Sequence, residues 1–419
     1  MSETTSPPAP DVESTATDGR RAGPAQLILL LAGSCMSVLG AVLLAPVLPA
    51  MNDHFAAVSG VDVLVPVVLT VPALLIGLAA PFAGLVVDAV DRKRLLIAAM
   101  VAYSVFGTAP LYLDSLGAII ASRVAVGVCE AAIMTCCTTL IADYWSGARR
   151  SRYLGLQTLV ASVSATVFLG LGGALGAAGW RTPFWLYTVA ALVAVPMALL
   201  LWQPVRESTS DGPGKLSTSD GGRRLPPVPW RQLSVPLLVT LVGGVVFYAL
   251  IVQLAFLLDG AGVTDPATVG ALSALMSLAT AVAAGSFAWL SRHSPRVLLP
   301  VAFGVSAVGL VVVSATGAVP VITVGAVLTG AGTGLLLPTL LTWAVNRLSF
   351  AQRGRGTGLW TGALFLGEFL SPVLIGGVGA GIGGLRPAIG VVAAVSAVLA
   401  LATALLVPRT AGRLDATDS

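Results

Sequence analysis

Twelve apolar runs, each about 20 residues long, constrain the fold of this chain more than any other feature. A hydrocarbon core about 30 Å thick is crossed by about 20 helical residues, so each run predicts a membrane-spanning helix. The predicted spans are 26–50, 62–86, 95–113, 116–142, 153–177, 183–202, 234–258, 267–291, 297–317, 320–345, 357–380 and 386–407. The sequence therefore predicts an all-α polytopic membrane protein with twelve transmembrane helices.

The composition excludes an ordinary soluble domain. Hydrophobic residues make up 56% of the chain and charged residues only 10%, whereas soluble domains carry about 25% charge. The mean hydropathy is +0.92. A lipid bilayer requires no polar exterior, so it is the partner that suits this composition.

The basic residues predict the orientation. With the N terminus in the cytoplasm, twenty of the 23 Lys and Arg residues fall on the cytoplasmic side. Only Arg181 and Arg386 fall outside, and Arg123 lies within a span. This asymmetry follows the positive-inside rule and predicts that both termini are cytoplasmic. The Ala-, Gly- and Arg-rich composition indicates a bacterial inner (plasma) membrane. No basic run alternates with aromatics, so a nucleic-acid partner is not expected.

A polar linker and an internal repeat divide the chain into halves. We predict a disordered cytoplasmic N-tail at 1–25, a six-helix bundle at 26–202, a cytoplasmic linker at 203–233, a second six-helix bundle at 234–407 and a cytoplasmic C-tail at 408–419. The sequence RSRYLGLQT at 150–158 is repeated as RGRGTGLWT at 353–361, each in a loop that enters a helix. Repeats at matching topology predict two pseudo-symmetric bundles of the same orientation.

Two motifs resemble those of the major facilitator superfamily. The segment GLVVDAVDRKR at 84–94 is similar to its signature loop, and RVAVGVCEAA at 123–132 resembles its helix-4 motif. Gly84, Asp88, Arg92 and Lys93 match the loop, while Ala89 and Asp91 replace the usual Arg and Gly. The resemblance implies a monomer that works by alternating access. It also implies that the four matching loop residues form a conformational latch at the start of helix 11.

Three charged residues within the spans are candidates for proton coupling: Arg123, Glu130 and Glu368. A charge at the centre of a span costs about 2.5–3.5 kcal/mol on insertion scales, so such residues are functional candidates. Arg123 and Glu130 are two helical turns apart and share one face. In the family the motif Arg is implicated in proton transfer. The alternatives are a structural Arg–Glu contact and, for Glu368, a hydrogen bond to a neighbouring helix.

Four uncharged residues are candidates for the substrate cavity: Gln253, Gly127, Met134 and Thr333. Amides also join helices to one another, which is the preferred interpretation of Gln157. The glycine-rich end of helix 5, FLGLGGALGAAG, is similar to that of the twelve-helix drug:proton antiporter group, although the usual Pro is missing. This similarity favours export.

The sequence lacks the motifs that are typical of other function classes. The chain has no P-loop motif, and its GAGIGG segment follows a membrane helix instead of a strand. His54 and His293 lie at helix ends and the four cysteines lack metal-ligand spacing, so we expect no enzyme, metal or cofactor. The expected function is proton-coupled efflux of small amphiphilic compounds or drugs. The alternative is proton-coupled transport of a metabolite such as a sugar or monocarboxylate. Arg123 would then bind a substrate carboxylate.

Overall fold

The computed structural model describes residues 22–82, 91–203 and 229–406. These residues contain twelve helices long and apolar enough to cross a membrane, which confirms the predicted number of spans. The helices are α1 Pro24–His54, α2 Val61–Phe82, α3 Arg92–Leu111, α4 Leu116–Tyr144, α5 Gly147–Gly176, α6 Thr182–Leu200, α7 Trp230–Asp259, α8 Pro266–Leu290, α9 Pro295–Ala315, α10 Val319–Val345, α11 Gln352–Ile382 and α12 Leu385–Leu405.

Several helices begin earlier than the hydropathy predicts. α5 begins at Gly147 and α11 at Gln352, so the arginines of both repeat copies lie in helices and not in loops. Arginine is a good helix former and is exposed here, so the helix continues past the apolar run that hydropathy detects. α1 and α7 likewise begin at Pro24 and Trp230, inside the predicted tail and linker.

Some predictions lie outside the described residues, which omit 1–21, 83–90, 204–228 and 407–419. These ranges hold most of both tails and of the linker, as well as Gly84 and Asp88 of the latch loop. The predicted latch therefore stays a prediction. Immediately before this loop the end of α2 meets the start of α11, since a Cβ added at Gly358 would lie 2.9 Å from the carbonyl oxygen of Ala80.

The first span is interrupted. Its α-helix ends at Val42, a 3-10 turn covers Ala45–Val47, and a second helix covers Leu48–His54. Pro46 has no backbone N–H and cannot donate to the carbonyl four residues earlier. The backbone therefore tightens into a 3-10 turn at this point, which we call the α1 break (residues 43–47).

Glycines bring the two halves together along two helix pairs. A Cβ added at Gly77 of α2 would lie 3.2 Å from the carbonyl oxygen of Gly362 of α11. A Cβ added at Gly270 of α8 would lie 2.7 Å from the Cα of Gly173 of α5. Small residues allow such close backbone contact in membranes. Large apolar side chains face outward instead, as at Leu192 and elsewhere on the surface.

The bundle has two ends. The terminal end carries the start of α1 and the end of α6, where the Gln26 amide donates to the carbonyl of Leu200. The distal end carries the α1–α2 connection. The α5–α8 contact at Gly173 lies near the distal end, because it involves the last turns of α5 and the first turns of α8.

Candidate functional site

Arg123 lies in α4 with no solvent exposure. Its guanidinium donates three hydrogen bonds: Nε to the carbonyl of Val68 (3.2 Å), Nη1 to the hydroxyl of Tyr187 (2.7 Å) and Nη2 to the carbonyl of Gly40 (3.0 Å). The guanidinium carbon also lies 5.2 Å from the centroid of the Tyr187 ring. Arg123 thus joins four helices, α1, α2, α4 and α6, within the first half.

Glu130 lies two turns further along α4 and is 1% exposed. Its Oε1 is buried and has no hydrogen-bond partner among the described residues. The carboxyl packs directly on Gly40, where an added Cβ would overlap it. No ion pair joins Glu130 to Arg123 in the described part of the chain, because the donors of Arg123 are directed to two carbonyls and a tyrosine.

Two tyrosines lie beside Arg123 and Glu130, and the four residues form one cluster. The sequence analysis missed both tyrosines. The rings of Tyr103 and Tyr187 lie 5.0 Å apart, and the Tyr103 hydroxyl donates to the carbonyl of Met36 (2.6 Å). A tyrosine deep in a span needs a partner for its hydroxyl, and this requirement was the signal available in the sequence.

Glu368 lies in α11 and is 5% exposed. It packs against α7, where a Cβ added at Gly244 would lie 3.3 Å from the Glu368 backbone nitrogen. The hydrogen bond between these helices is made by Ser371, whose hydroxyl donates to the carbonyl of Val245 (2.9 Å). Within the described residues the Glu368 carboxyl forms neither a hydrogen bond nor an ion pair.

Tyr248 of α7 contacts α1 beside the turn on which the Glu130 carboxyl packs. Its ring is 2% exposed, and its hydroxyl donates to the carbonyl of Ala41 in α1. Ala41 follows Gly40, on which the Glu130 carboxyl packs, and Tyr248 lies one helical turn after Gly244, which packs against the backbone of Glu368. Arg123, Glu130 and Glu368 therefore all lie near the contact between Tyr248 and α1, at the boundary between the halves.

The predicted cavity residues have other contacts in this structure. Gly127 packs on α2, where an added Cβ would lie 2.7 Å from the Cα of Pro72. The Thr333 hydroxyl donates within its own helix, to the carbonyl of Thr329 (2.9 Å). Gln253 is 5% exposed and Met134 is half-buried. A role for these four residues in binding substrate stays a prediction.

Three further polar residues named in the sequence analysis contact neighbouring elements, and the latch role of two of them, Arg92 and Lys93, stays a prediction. Gln157 of α5 donates to the Ser34 hydroxyl (2.7 Å) and to the Thr138 hydroxyl (3.1 Å), so it links three helices as expected. Arg92 forms an ion pair with Asp143. The backbone nitrogen of Lys93 donates to the Gln203 side chain (3.3 Å).

An apolar groove of about 360 Å³ lies on the outer face of α9 and α10. It is lined by Pro300, Val301, Gly304, Val305, Val308 and Leu328. The groove contains none of the charged residues and is separate from the candidate site. Among the residues described, no group of three or more His, Cys, Asp or Glu side chains could hold a metal ion.

The profile of the Major Facilitator Superfamily matches residues 30–288 and 263–418. The chain belongs to the Major Facilitator Superfamily. It is therefore a multi-pass membrane transporter with the all-helical fold that the resemblance implied. The overlapping matches cover both halves.

Two curated relatives share part of the chain. Quinolone resistance protein NorA of Staphylococcus aureus is 24% identical over 218 residues, which is 52% of this chain and 54% of that protein. Multidrug resistance protein 2 of Bacillus subtilis is 28% identical over 188 residues, 44% of each chain. The chain thus spans about half the length of these relatives or less.

Solved structures agree in fold. A bacterial homologue of the human lysosomal transporter Spinster, in an inward-facing and occupied conformation, has a TM-score of 0.71 at 18% identity. That match covers 92% of this chain and 97% of the other. The human organic anion transporter MFSD10 has a TM-score of 0.65 at 17% identity, over 91% of this chain and 100% of the other. At these identities the likeness concerns the fold alone.

Proposed function

We propose that this transporter exports small amphiphilic organic compounds in exchange for protons, across a bacterial plasma membrane and with both termini in the cytoplasm. One observation carries the proposal. The two glutamates among the described residues, Glu130 and Glu368, are both buried within spans, lie in opposite halves and have no basic residue paired with them.

A buried carboxylate requires a counter-charge, because its transfer out of water without a partner is strongly unfavourable. Among the described residues, no basic side chain forms an ion pair with either carboxyl group. A proton can supply the counter-charge, and so can a cationic group on a substrate. If proton and substrate compete for the same carboxyl, binding of one releases the other, and this competition gives exchange.

Two further features support export over the metabolite alternative. The relatives that share half the chain are named for resistance to quinolones and to multiple drugs. A monocarboxylate would need a cation in the cavity, but Arg123 is fully buried and directs its donors to Val68, Tyr187 and Gly40. Import of a sugar or monocarboxylate is therefore the second candidate, and the experiment below includes it.

The test uses inside-out vesicles with an acid interior and a pH-reporting dye. Lipophilic cations, neutral amphiphiles, sugars and organic acids are added one at a time. We compare wild type with Glu130→Gln and Glu368→Gln, which keep side-chain size but cannot exchange a proton. Asp53→Asn is the matched control, because Asp53 is an exposed acid at the distal end.

We expect lipophilic amphiphiles to release protons in wild type and in Asp53→Asn. Each glutamine variant should lower the initial rate at least tenfold while the protein remains in the membrane. Co-transport of a sugar or organic acid with protons would carry protons into these vesicles, so added acidity of the interior with these compounds, and no release with amphiphiles, would support the metabolite alternative. Unchanged exchange in both glutamine variants would refute the role of the two carboxyls.

A further inference from the structure

Two consecutive carbonyl groups of α1 accept hydrogen bonds from opposite halves of the protein. The carbonyl of Gly40 accepts from Arg123 of α4, in the same half. The next carbonyl, that of Ala41, accepts from the hydroxyl of Tyr248 in α7 of the other half. A side chain from each bundle thus contacts the same turn of α1.

This turn is the last before the α1 break. The final carbonyls of a helix have no backbone donor from a following turn and need another partner. The α-helix ends at Val42, so Gly40 and Ala41 belong to its last turn. The buried side chains of Arg123 and Tyr248 supply donors there. The conformation of the break therefore depends on both halves.

The bond from Tyr248 crosses the boundary that opens during alternating access. Ala41 and Tyr248 lie at similar depths in helices that begin at Pro24 and Trp230 and run in the same direction. Both residues lie closer to the distal end, on the same side as the glycine contact between α5 and α8. If the halves separate at this level, the hydroxyl leaves the Ala41 carbonyl and the last turn of α1 loses a donor.

We propose that Tyr248 is a positioning residue of the transport cycle, whose hydroxyl holds the α1 break to the second half while the distal end is closed. The residue acts through α1, because the same turn carries Gly40, on which the Glu130 carboxyl packs. Closure of the distal end therefore fixes the surroundings of Glu130. This role requires alternating access but no particular substrate or coupling ion.

The test measures the distance between the halves directly. Spin labels are placed at Ala57→Cys and Thr264→Cys, two exposed positions at the distal end, in a background without the four native cysteines. Double electron–electron resonance then gives the populations of closed and open forms. We expect Tyr248→Phe to raise the ratio of open to closed form about fivefold, the factor that one buried hydrogen bond contributes to an equilibrium.

Two variants serve as controls. Tyr187→Phe also removes a buried hydroxyl that bonds at this cluster, but its partner Arg123 lies in the same half. Tyr112→Phe removes an exposed hydroxyl at the distal end. Both variants should leave the ratio of open to closed form within twofold of the wild-type ratio. All variants keep the aromatic ring, and their elution and melting curves show whether they are folded.

Two results would overturn the proposal. One is an unchanged open-to-closed ratio in Tyr248→Phe. The other is an equal shift in Tyr187→Phe, which would mean that general loosening of the cluster opens the distal end. Because the measurement needs no substrate and no proton gradient, its failure would not affect the proposed exchange, and failure of the exchange assay would not affect Tyr248.

Discussion

Arg123 offers the sharpest test of how this fold is stabilised. The substitution Arg123→Lys keeps the positive charge but replaces the planar guanidinium with a single ammonium group. The three acceptors of Arg123 lie on three different helices, and the nitrogens that contact them spread across the guanidinium. One ammonium reaches one of these acceptors, so two hydrogen bonds are lost.

The expected cost follows from the number of lost bonds. Side-chain hydrogen bonds between membrane helices contribute about 0.6 kcal/mol on average and about 1.7 kcal/mol at most. Two lost bonds therefore lower the free energy of unfolding by about 1–3 kcal/mol, which is about a 5- to 150-fold change in the unfolding equilibrium. The measurement is reversible unfolding of the purified protein in mixed micelles with increasing SDS, followed by tryptophan fluorescence.

Arg181 is the matched control. It too donates three hydrogen bonds, to Pro110 (3.3 Å), Leu113 (3.0 Å) and Asp114 (2.8 Å), and it also stacks on an aromatic ring. Its side chain, however, is 31% exposed, so water can replace the lost partners. Arg181→Lys should cost less than about 1 kcal/mol. Equal losses at both positions would refute the argument that burial makes the Arg123 bonds important.

Two further predictions concern the distal end. Gly173→Ala places a Cβ against the backbone of Gly270, so we expect slower transport and weaker contact between α5 and α8, whereas Gly170→Ala, which meets open space, should transport like wild type. Equal rates in the two variants would contradict this. Asp265 caps α8, and hydrogen bonds from the Thr268 hydroxyl and backbone N–H lower the pKa of the Asp265 carboxyl. The stabilisation of the folded protein by ionised Asp265 is therefore complete above the usual Asp pKa of about 4. It is lost as the pH falls through the lowered pKa. The difference in melting temperature between wild type and Asp265→Asn should shrink accordingly, and a difference independent of pH would refute the assignment.

Hydropathy predicted the fold because each span must be predominantly apolar, whatever its neighbours are. The same measure missed the true starts of α5 and α11, since residues such as Arg152 and Arg355 are helical but lie beyond the apolar run. Nothing in hydropathy distinguishes a charged helical turn from a charged loop.

The candidate site was predictable in part. The helical repeat places Arg123 and Glu130 on one face of α4 without any knowledge of the fold. Their partners could not be predicted in this way, because Val68, Gly40 and Tyr187 come from three other helices. Whether Arg123 binds Glu130 or these groups depends on how closely the helices pack. Because Gly40 has no side chain, the Glu130 carboxyl can pack directly on α1.

The position of the Arg123 partners along the chain also bears on how this protein is made. Two of the three acceptors, the carbonyls of Gly40 and Val68, belong to helices that emerge from the ribosome before α4. An arginine that enters the bilayer alone is costly, but one that enters beside α1 and α2 meets its acceptors as it inserts. Tyr187 arrives later with α6 and completes the set. The order of synthesis thus allows two of the three acceptors of Arg123 to be in the membrane when α4 is inserted.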